Sequence, residues 1–128
     1  MGMPAAKQGD QILANDMHQI QPPGTSPPVF TPHPFKGVID GGLSSDVKIM
    51  GKPAATVDST ATNKPEHKPI GGAFVKKPAN QATIIKGSPT VFINGKPAAR
   101  NGDKAITCND PTDLPAGTVV AFGTVMIG

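Results

Sequence analysis

The fold is decided by the stretch NGKPAARNGD at residues 94–103, because less complete matches to it occur twice more in the chain. The sequence has MGMPAAKQGD at residues 1–10 and MGKPAATVDS at residues 50–59. The shared glycines, Gly2, Gly51 and Gly95, are 49 and 44 residues apart. A unit that recurs in this way predicts a pseudo-symmetric structure built from three copies of one supersecondary element.

Each copy of this motif is associated with a short, strand-like segment. DVKIMG at residues 46–51 leads into the second copy, TVFING at residues 90–95 leads into the third, and the chain ends with TVMIG at residues 124–128. Since the first copy opens the sequence, we expect the C-terminal segment to supply its missing strand and to close a ring of three. A further apolar run precedes each segment, at residues 37–41, 83–87 and 118–123.

The composition indicates one domain that is rich in turns and poor in core residues. The chain has 128 residues, with 15 Pro, 15 Gly, no Trp and no Tyr. Composition alone is compatible with a disordered chain. The apolar residues are mostly Ile and Val in short alternating runs, however, and such runs are typical of strands. We therefore predict an all-β fold without a substantial helix.

The charge pattern argues against two classes of partner. The net charge is +3 and the pI is about 9.2, but the lysines are scattered and no Tyr or Trp lies between them. A nucleic-acid groove needs clustered basic and aromatic residues, so we do not expect one. No apolar run approaches the roughly 20 residues that span a bilayer, and no signal peptide is visible. We expect synthesis in the cytoplasm.

The chain has only three histidines and one cysteine, and they fit a single site. His18 and His67 each follow the glycine of their motif copy by 16 residues, and Cys108 follows its glycine by 13. These are nearly equivalent loop positions, so three loops are expected to bring them to one axis. His33, in the long loop of the first copy, is expected to add a fourth ligand.

Three imidazoles and one thiolate form a closed tetrahedral set for a metal ion. Such a set leaves no open position for a substrate or a reactive water, so it indicates a structural metal rather than a catalytic one. The borderline-soft ligands favour zinc over iron. Taken singly, each residue would more often be a solvated histidine or a small buried cysteine; the joint placement supports the site.

The full stretch GSPTVFINGKPAARNGD at residues 87–103 resembles the PAAR-repeat family of spike-tip proteins. The other two copies depart from it, among other places, at the residue after Pro-Ala-Ala and at the final aspartate. Lys7 and Thr56 stand where the third copy has Arg100, and Ser59 replaces the aspartate in the second copy. The resemblance extends over essentially the whole chain.

The resemblance implies a small cone of three quasi-repeats around a pseudo-threefold axis, with zinc near its tip. It implies that the base of the cone caps a trimeric, VgrG-type β-helical spike, with one chain per trimer. Such caps form the tips of type VI secretion systems, extracellular contractile injection machines or phage tails. They help to pierce a target membrane, and they can carry effectors. The sequence thus predicts one PAAR-like domain over residues 1–128 without an effector extension, assembled at the tip of the apparatus and delivered or secreted on firing.

The residues that meet the spike are expected on the repeated strands. Alternation places two apolar residues of each strand on one face, and that face points either to the interior or to the spike; these residues are Val47, Ile49, Val91, Ile93, Val125 and Ile127.

Two other functions remain open at this point. One is a free-standing structural zinc-binding adaptor. The other is a small hydrolase, in which Asp10, Asp103 and the histidines would be acid–base groups. The sequence contains no nucleophile elbow and no phosphate-binding loop, so we expect no enzymatic activity.

Overall fold

A computed structural model describes residues 2–128, and Met1, the first residue of the first motif copy, lies outside them. The described part of the chain consists of strands and turns without a helix, which confirms the all-β prediction. It follows that no helix in this part could span a membrane. Six longer strands form the body: β2 (Gln11–Gln21), β3 (Val29–Gly41), β6 (Thr60–Asn63), β8 (Gln81–Ile84), β11 (Lys104–Thr107) and β12 (Leu114–Val120).

Seven short strands complete the structure. They are β1 (Met3–Pro4), β4 (Lys48–Ile49), β5 (Lys52–Pro53), β7 (Ala73–Phe74), β9 (Phe92–Ile93), β10 (Lys96–Pro97) and β13 (Met126–Ile127). All except β7, which pairs with the end of β2, belong to two-stranded hairpins outside the body.

The six longer strands form a closed antiparallel barrel in the order β12, β11, β8, β6, β3, β2, and β2 pairs again with β12. The barrel consists of three out-and-back excursions of the chain, over residues 11–41, 60–84 and 104–120. Its interior is filled by buried apolar side chains, among them Ile12, Phe35, Ile39, Ile84 and Val119. Closure removes the free edges that short strands would otherwise present.

Three hairpins lie together at one end of this barrel. Strands β4 and β5 are joined by Met50 and Gly51, with φ of 51° and 82°, and β9 and β10 by Asn94 and Gly95, with φ of 51° and 80°. Positive φ at both central residues is the signature of a type I′ turn, which matches the twist of a two-stranded ribbon. One isoleucine from each hairpin is buried in a shared cluster: Ile49, Ile93 and Ile127.

The third hairpin has no turn, because its strands come from the two ends of the chain. Strand β13 pairs antiparallel with β1, with Met3 opposite Ile127 and Pro4 opposite Met126. The prediction that the C-terminal segment completes the first repeat is therefore confirmed.

The second alanine of each Pro-Ala-Ala motif forms a closed ring of backbone hydrogen bonds. Ala6 donates to the carbonyl of Ala99 (2.9 Å), Ala99 donates to Ala55 (3.0 Å) and Ala55 donates to Ala6 (3.0 Å). All three residues are fully buried, so a larger side chain would find no free space. The first alanines pack on the hairpin cluster and the second on the barrel core, so the motif joins the two apolar clusters around the threefold axis.

The residue at the end of each motif closes the turn that follows. The backbone amides of Lys7 and Arg100 donate to the carboxylates of Asp10 and Asp103, at 3.1 and 2.8 Å, and Thr56 donates to Ser59 Oγ at 2.9 Å. The substitution of serine in the second copy therefore keeps the hydrogen bond. Both carboxylates also form ion pairs at 3.2 Å, with the side chains of Lys7 and Arg100, and these pairs stabilise the turn.

Candidate metal centre

Strand alternation directs three polar side chains into the end of the barrel that lies away from the hairpins. In β2 the inward residues include Asp16 and His18, and in β3 they include His33. Asp16 and His33 are direct cross-strand partners, so their side chains lie on one face. All three residues are at most 1% exposed.

The expectation that His18 and His33 lie in loops is wrong, because both belong to the β2–β3 hairpin. Strand β3 continues through Pro32 and Pro34 because, among residues 2–128, it pairs there with β2 alone; its pairing with β6 begins at Gly37. Proline is tolerated on such a free edge.

His67 and Cys108 do come from loops, as the repeats predicted. The amide of His67 donates to Asn80 Oδ1 at 2.8 Å, which holds the loop after β6. Cys108 directly follows β11, and the next two residues bind the free edge of β2. Asn109 accepts from the amide of Met17 (2.7 Å), and Asp110 accepts from that of Gln19 (2.8 Å).

These elements bring four potential donor groups close together. One donor atom from each of Asp16, His18, His67 and Cys108 lies within 4.8 Å of the others. His33 is the neighbour of this group: its ring centroid lies 5.5 Å from that of His18 and 5.7 Å from that of His67. The rings of His18 and His67 are 5.0 Å apart, so the three imidazoles surround a common space.

His18 is the clearest sign that this space suits a metal ion. Both of its ring nitrogens are buried, and neither has a hydrogen-bond partner within residues 2–128. Its Nδ1 lies 3.5 Å from Asp110 Oδ2, which is too long for a good hydrogen bond. Buried polar atoms are nearly always satisfied, so two unpartnered nitrogens beside a cysteine fit a site for a metal ion.

Burial disfavours the charged forms of two ligand groups, His18 and Cys108, in the metal-free protein. Burial lowers the pKa of His18, an effect that His67 and His33 increase and that Asp110 and Asp16 oppose. Burial also raises the pKa of the Cys108 thiol to about 12, and the charge of Asp16 acts in the same direction. A neutral imidazole is ready to bind a metal, whereas the thiol must lose its proton as the metal binds.

Asp16 is the member of the centre that the sequence reasoning missed. It is fully buried and accepts hydrogen bonds from Thr107 Oγ1 at 2.6 Å, from His67 Nε2 at 2.9 Å and from Cys108 Sγ at 3.3 Å. The available signal was its position two residues before His18, which places both side chains on the same face of a strand.

The residues that were expected to meet a partner lie on the hairpins, in two layers. Ile49, Ile93 and Ile127 are 6–7% exposed, and Val91 packs against them. Val47 and Val125 are 37% and 40% exposed. The same hairpins carry more exposed apolar side chains that the sequence reasoning did not single out; these are Met3, Met50, Phe92 and Met126, at 48–57%.

Comparison with known families agrees with this architecture. A family model for the PAAR motif matches residues 31–112 and again residues 75–128, so the two matches together cover residues 31–128. A search of curated proteins finds no match to the chain. Because the family model covers well over half of the sequence, and the structure repeats the motif around a threefold axis, the chain belongs to the PAAR-motif family.

Proposed function

We propose that the chain is a non-catalytic cap that sharpens a trimeric β-helical spike of the VgrG type in a contractile injection machine. Membership of the PAAR-motif family implies a spike-tip type of function. The observation that supports the capping role best is the ring of three quasi-equivalent hairpins at one end of the molecule. A trimeric spike presents three equivalent sites, and one chain with three internal repeats matches them while forming a single point.

The docking face, which we call the base, is formed by the three hairpins. Its exposed apolar side chains are Met3, Val47, Met50, Phe92, Val125 and Met126. Beneath them, Ile49, Val91, Ile93 and Ile127 form the supporting layer, so the six residues expected from the sequence contribute both surface and support. An apolar centre of this kind is what a stable protein interface buries.

The metal centre lies at the other end, which we call the apex. Strand β2 runs from the alanine ring towards it, and the seven steps of strand from Gln11 to His18 span about 23 Å. We propose that His18, His33, His67 and Cys108 hold a zinc ion there. A bound zinc ion would supply a structural link between β2, β3 and the two loops that carry His67 and Cys108.

The surface of the apex suits brief contact with a target membrane. Four large apolar side chains are about half exposed there, namely Val29, Phe30, Ile70 and Val75. The loop over residues 64–80 adds exposed lysines, including Lys76 and Lys77. In this proposal the chain is made in the cytoplasm, assembled on the spike, and delivered or secreted on firing, with non-covalent effectors as further cargo.

The capping role is tested by stoichiometry. The chain should be mixed with candidate trimeric spike proteins, and the product measured by native mass spectrometry. We expect one copy of this chain per spike trimer. A free-standing zinc-binding adaptor would retain its metal and leave every spike trimer unbound, and that result would reject the cap.

A further inference from the structure

We propose that Asp16 is a positioning residue of the metal centre, which binds His67 and balances the charge of the site without contacting the metal itself. This inference rests on the proposed zinc site. The family resemblance suggested histidine and cysteine ligands only, so the role of this carboxylate follows from the contacts of this chain.

The first argument is the hydrogen bond between His67 Nε2 and Asp16 Oδ2, at 2.9 Å. A carboxylate accepts hydrogen bonds, so the proton of the neutral imidazole lies on Nε2 and the lone pair lies on Nδ1. Asp16 therefore selects the nitrogen of His67 that is free to bind. A histidine ligand commonly donates its other ring N–H to a carboxylate or a carbonyl in this way.

The position of the proton on the His33 ring is set in the same way, by a different partner. His33 Nδ1 lies 2.8 Å from the carbonyl of Thr31 and donates to it, so the lone pair lies on Nε2. The amide of Ile70 donates to this Nε2 at 3.3 Å, so metal binding through Nε2 would replace that hydrogen bond. His18 has no hydrogen-bond partner at either ring nitrogen within residues 2–128, so both of its nitrogens remain available to a metal ion.

The second argument is that the oxygens of Asp16 already have partners. Thr107 donates to Oδ1 at 2.6 Å, and Asn109 Nδ2 lies 3.4 Å from the same oxygen. His67 and Cys108 both contact Oδ2. If Oδ2 bound the metal instead, the N–H of His67 would lose its acceptor inside a buried site, which is unfavourable.

The third argument concerns charge. A divalent ion with three neutral imidazoles and one thiolate carries a net charge of +1, and an uncompensated buried charge is unfavourable. Asp16 is fully buried beside these groups and supplies the balancing negative charge. Thr107 and Asn109 hold that charge in place from the side away from His67.

The test uses Asp16→Asn, which removes the charge and keeps the shape. Zinc affinity is measured by competition with a chromophoric chelator, and the ligand set by the absorption spectrum of the cobalt-substituted protein. We expect affinity to fall about 10–100-fold while the cobalt spectrum keeps the wild-type bands. Asp40→Asn is the matched control: this exposed carboxylate on β3 lies outside the cluster, so its variant should bind zinc like the wild type.

Two results would overturn the inference. One is unchanged zinc affinity in Asp16→Asn. The other is a cobalt spectrum that shifts as it does in His33→Gln, because that shift would make Asp16 a ligand. If the wild-type chain binds no zinc, the metal proposal itself fails as well, and this outcome is distinct from both.

A measurement on the wild-type protein covers the case in which Asp16→Asn does not fold. Long-range proton–nitrogen correlation spectra report which ring nitrogen of each histidine holds a proton. In the zinc-loaded chain we expect His67 to keep its proton on Nε2 and to bind through Nδ1. Binding through Nε2 would break the hydrogen bond to Asp16 and would reject the proposal.

Discussion

Ile127 lies directly opposite Met3, so the two ends of the chain form one hairpin of the base. The other two hairpins are continuous, with turns at Met50–Gly51 and Asn94–Gly95. The side chain of Ile127 is 7% exposed and packs with the alanines and isoleucines of the other repeats. The first repeat therefore depends on contacts between residues at opposite ends of the sequence.

Shortening the chain should test this closure directly. Removal of residues 125–128 takes away β13 and leaves β1 without a partner. We expect a large drop in the midpoint of thermal unfolding. The milder variant Ile127→Ala should cost about 2–4 kcal/mol, because it leaves a cavity in the hairpin cluster. Met126→Ala is the control on the same strand, since Met126 is 55% exposed and should change stability little. Equal unfolding midpoints for the truncated and full chains would contradict ring closure.

A second prediction concerns the alanine ring. Ala55 is fully buried and both donates and accepts in the ring, so Ala55→Val adds two methyl groups where no space exists. We expect a loss of about 1–3 kcal/mol, measured by urea denaturation. The same substitution at Ala116, which is exposed on β12, should have little effect. If both variants lose equal stability, the packing at the axis is not the cause.

A third prediction concerns pH in the metal-free protein. Because burial lowers the pKa of His18, the unfolded chain binds a proton that the folded chain does not, and stability should fall as the pH drops below about 6.5. Burial raises the pKa of Cys108, so the folded thiol keeps its proton while the unfolded thiol ionises. Stability should therefore also fall as the pH rises above about 8.5.

The pH prediction is checked by urea midpoints of chelator-treated protein across this range. His18→Gln should flatten the acid side of the profile, and Cys108→Ser should flatten the alkaline side. Unchanged slopes in both variants would assign the pH dependence to other groups. In the zinc-loaded protein, acid should in addition release the metal, since protons compete for the imidazoles and the thiolate.

A fourth prediction concerns metal content. The purified chain should contain one zinc ion per molecule. The direct measurement is elemental analysis of protein that has not been exposed to a chelator. His18→Gln should reduce that content strongly, because neither ring nitrogen of His18 has a hydrogen-bond partner within residues 2–128. A zinc content near zero in the wild type would reject the site.

A fifth prediction concerns the base. Glutamate is placed at Val47, Val91 and Val125, one at a time, and binding to a trimeric spike is measured together with zinc content. We expect at least one variant to lose spike binding while it retains its metal. Val47 and Val125 are the cleaner positions, since they are exposed whereas Val91 is partly buried. Phe30→Glu, at the apex, is the control and should bind the spike normally. Normal binding by all three base variants would mean that these strands do not form the docking face.

The repeated parts of the fold could be predicted from the sequence, but the parts that differ between repeats could not. The Pro-Ala-Ala copies and the TVMIG ending predicted the ring and its closure, because the same motif and the same strand recur in the sequence. The β2–β3 hairpin was taken for a loop, since Pro32 and Pro34 argue against a strand unless its outer edge is known to be free. Asp16 resembles a solvent-exposed polar residue until Thr107 and His67 are placed beside it.

The alanine ring has a consequence for assembly on a symmetric partner. The backbone repeats three times, whereas the exposed side chains of the hairpins do not: Lys48, Phe92 and Met126 are different groups at equivalent positions, each directly before the buried isoleucine. A homotrimeric spike would present three identical binding positions to the three hairpins. The chain could therefore bind in three rotations, which differ only in which hairpin contacts which subunit. The finished tip would therefore be a mixture of three orientations. That mixture would blur the apex in images averaged over many particles, while the repeating backbone of the base would stay sharp.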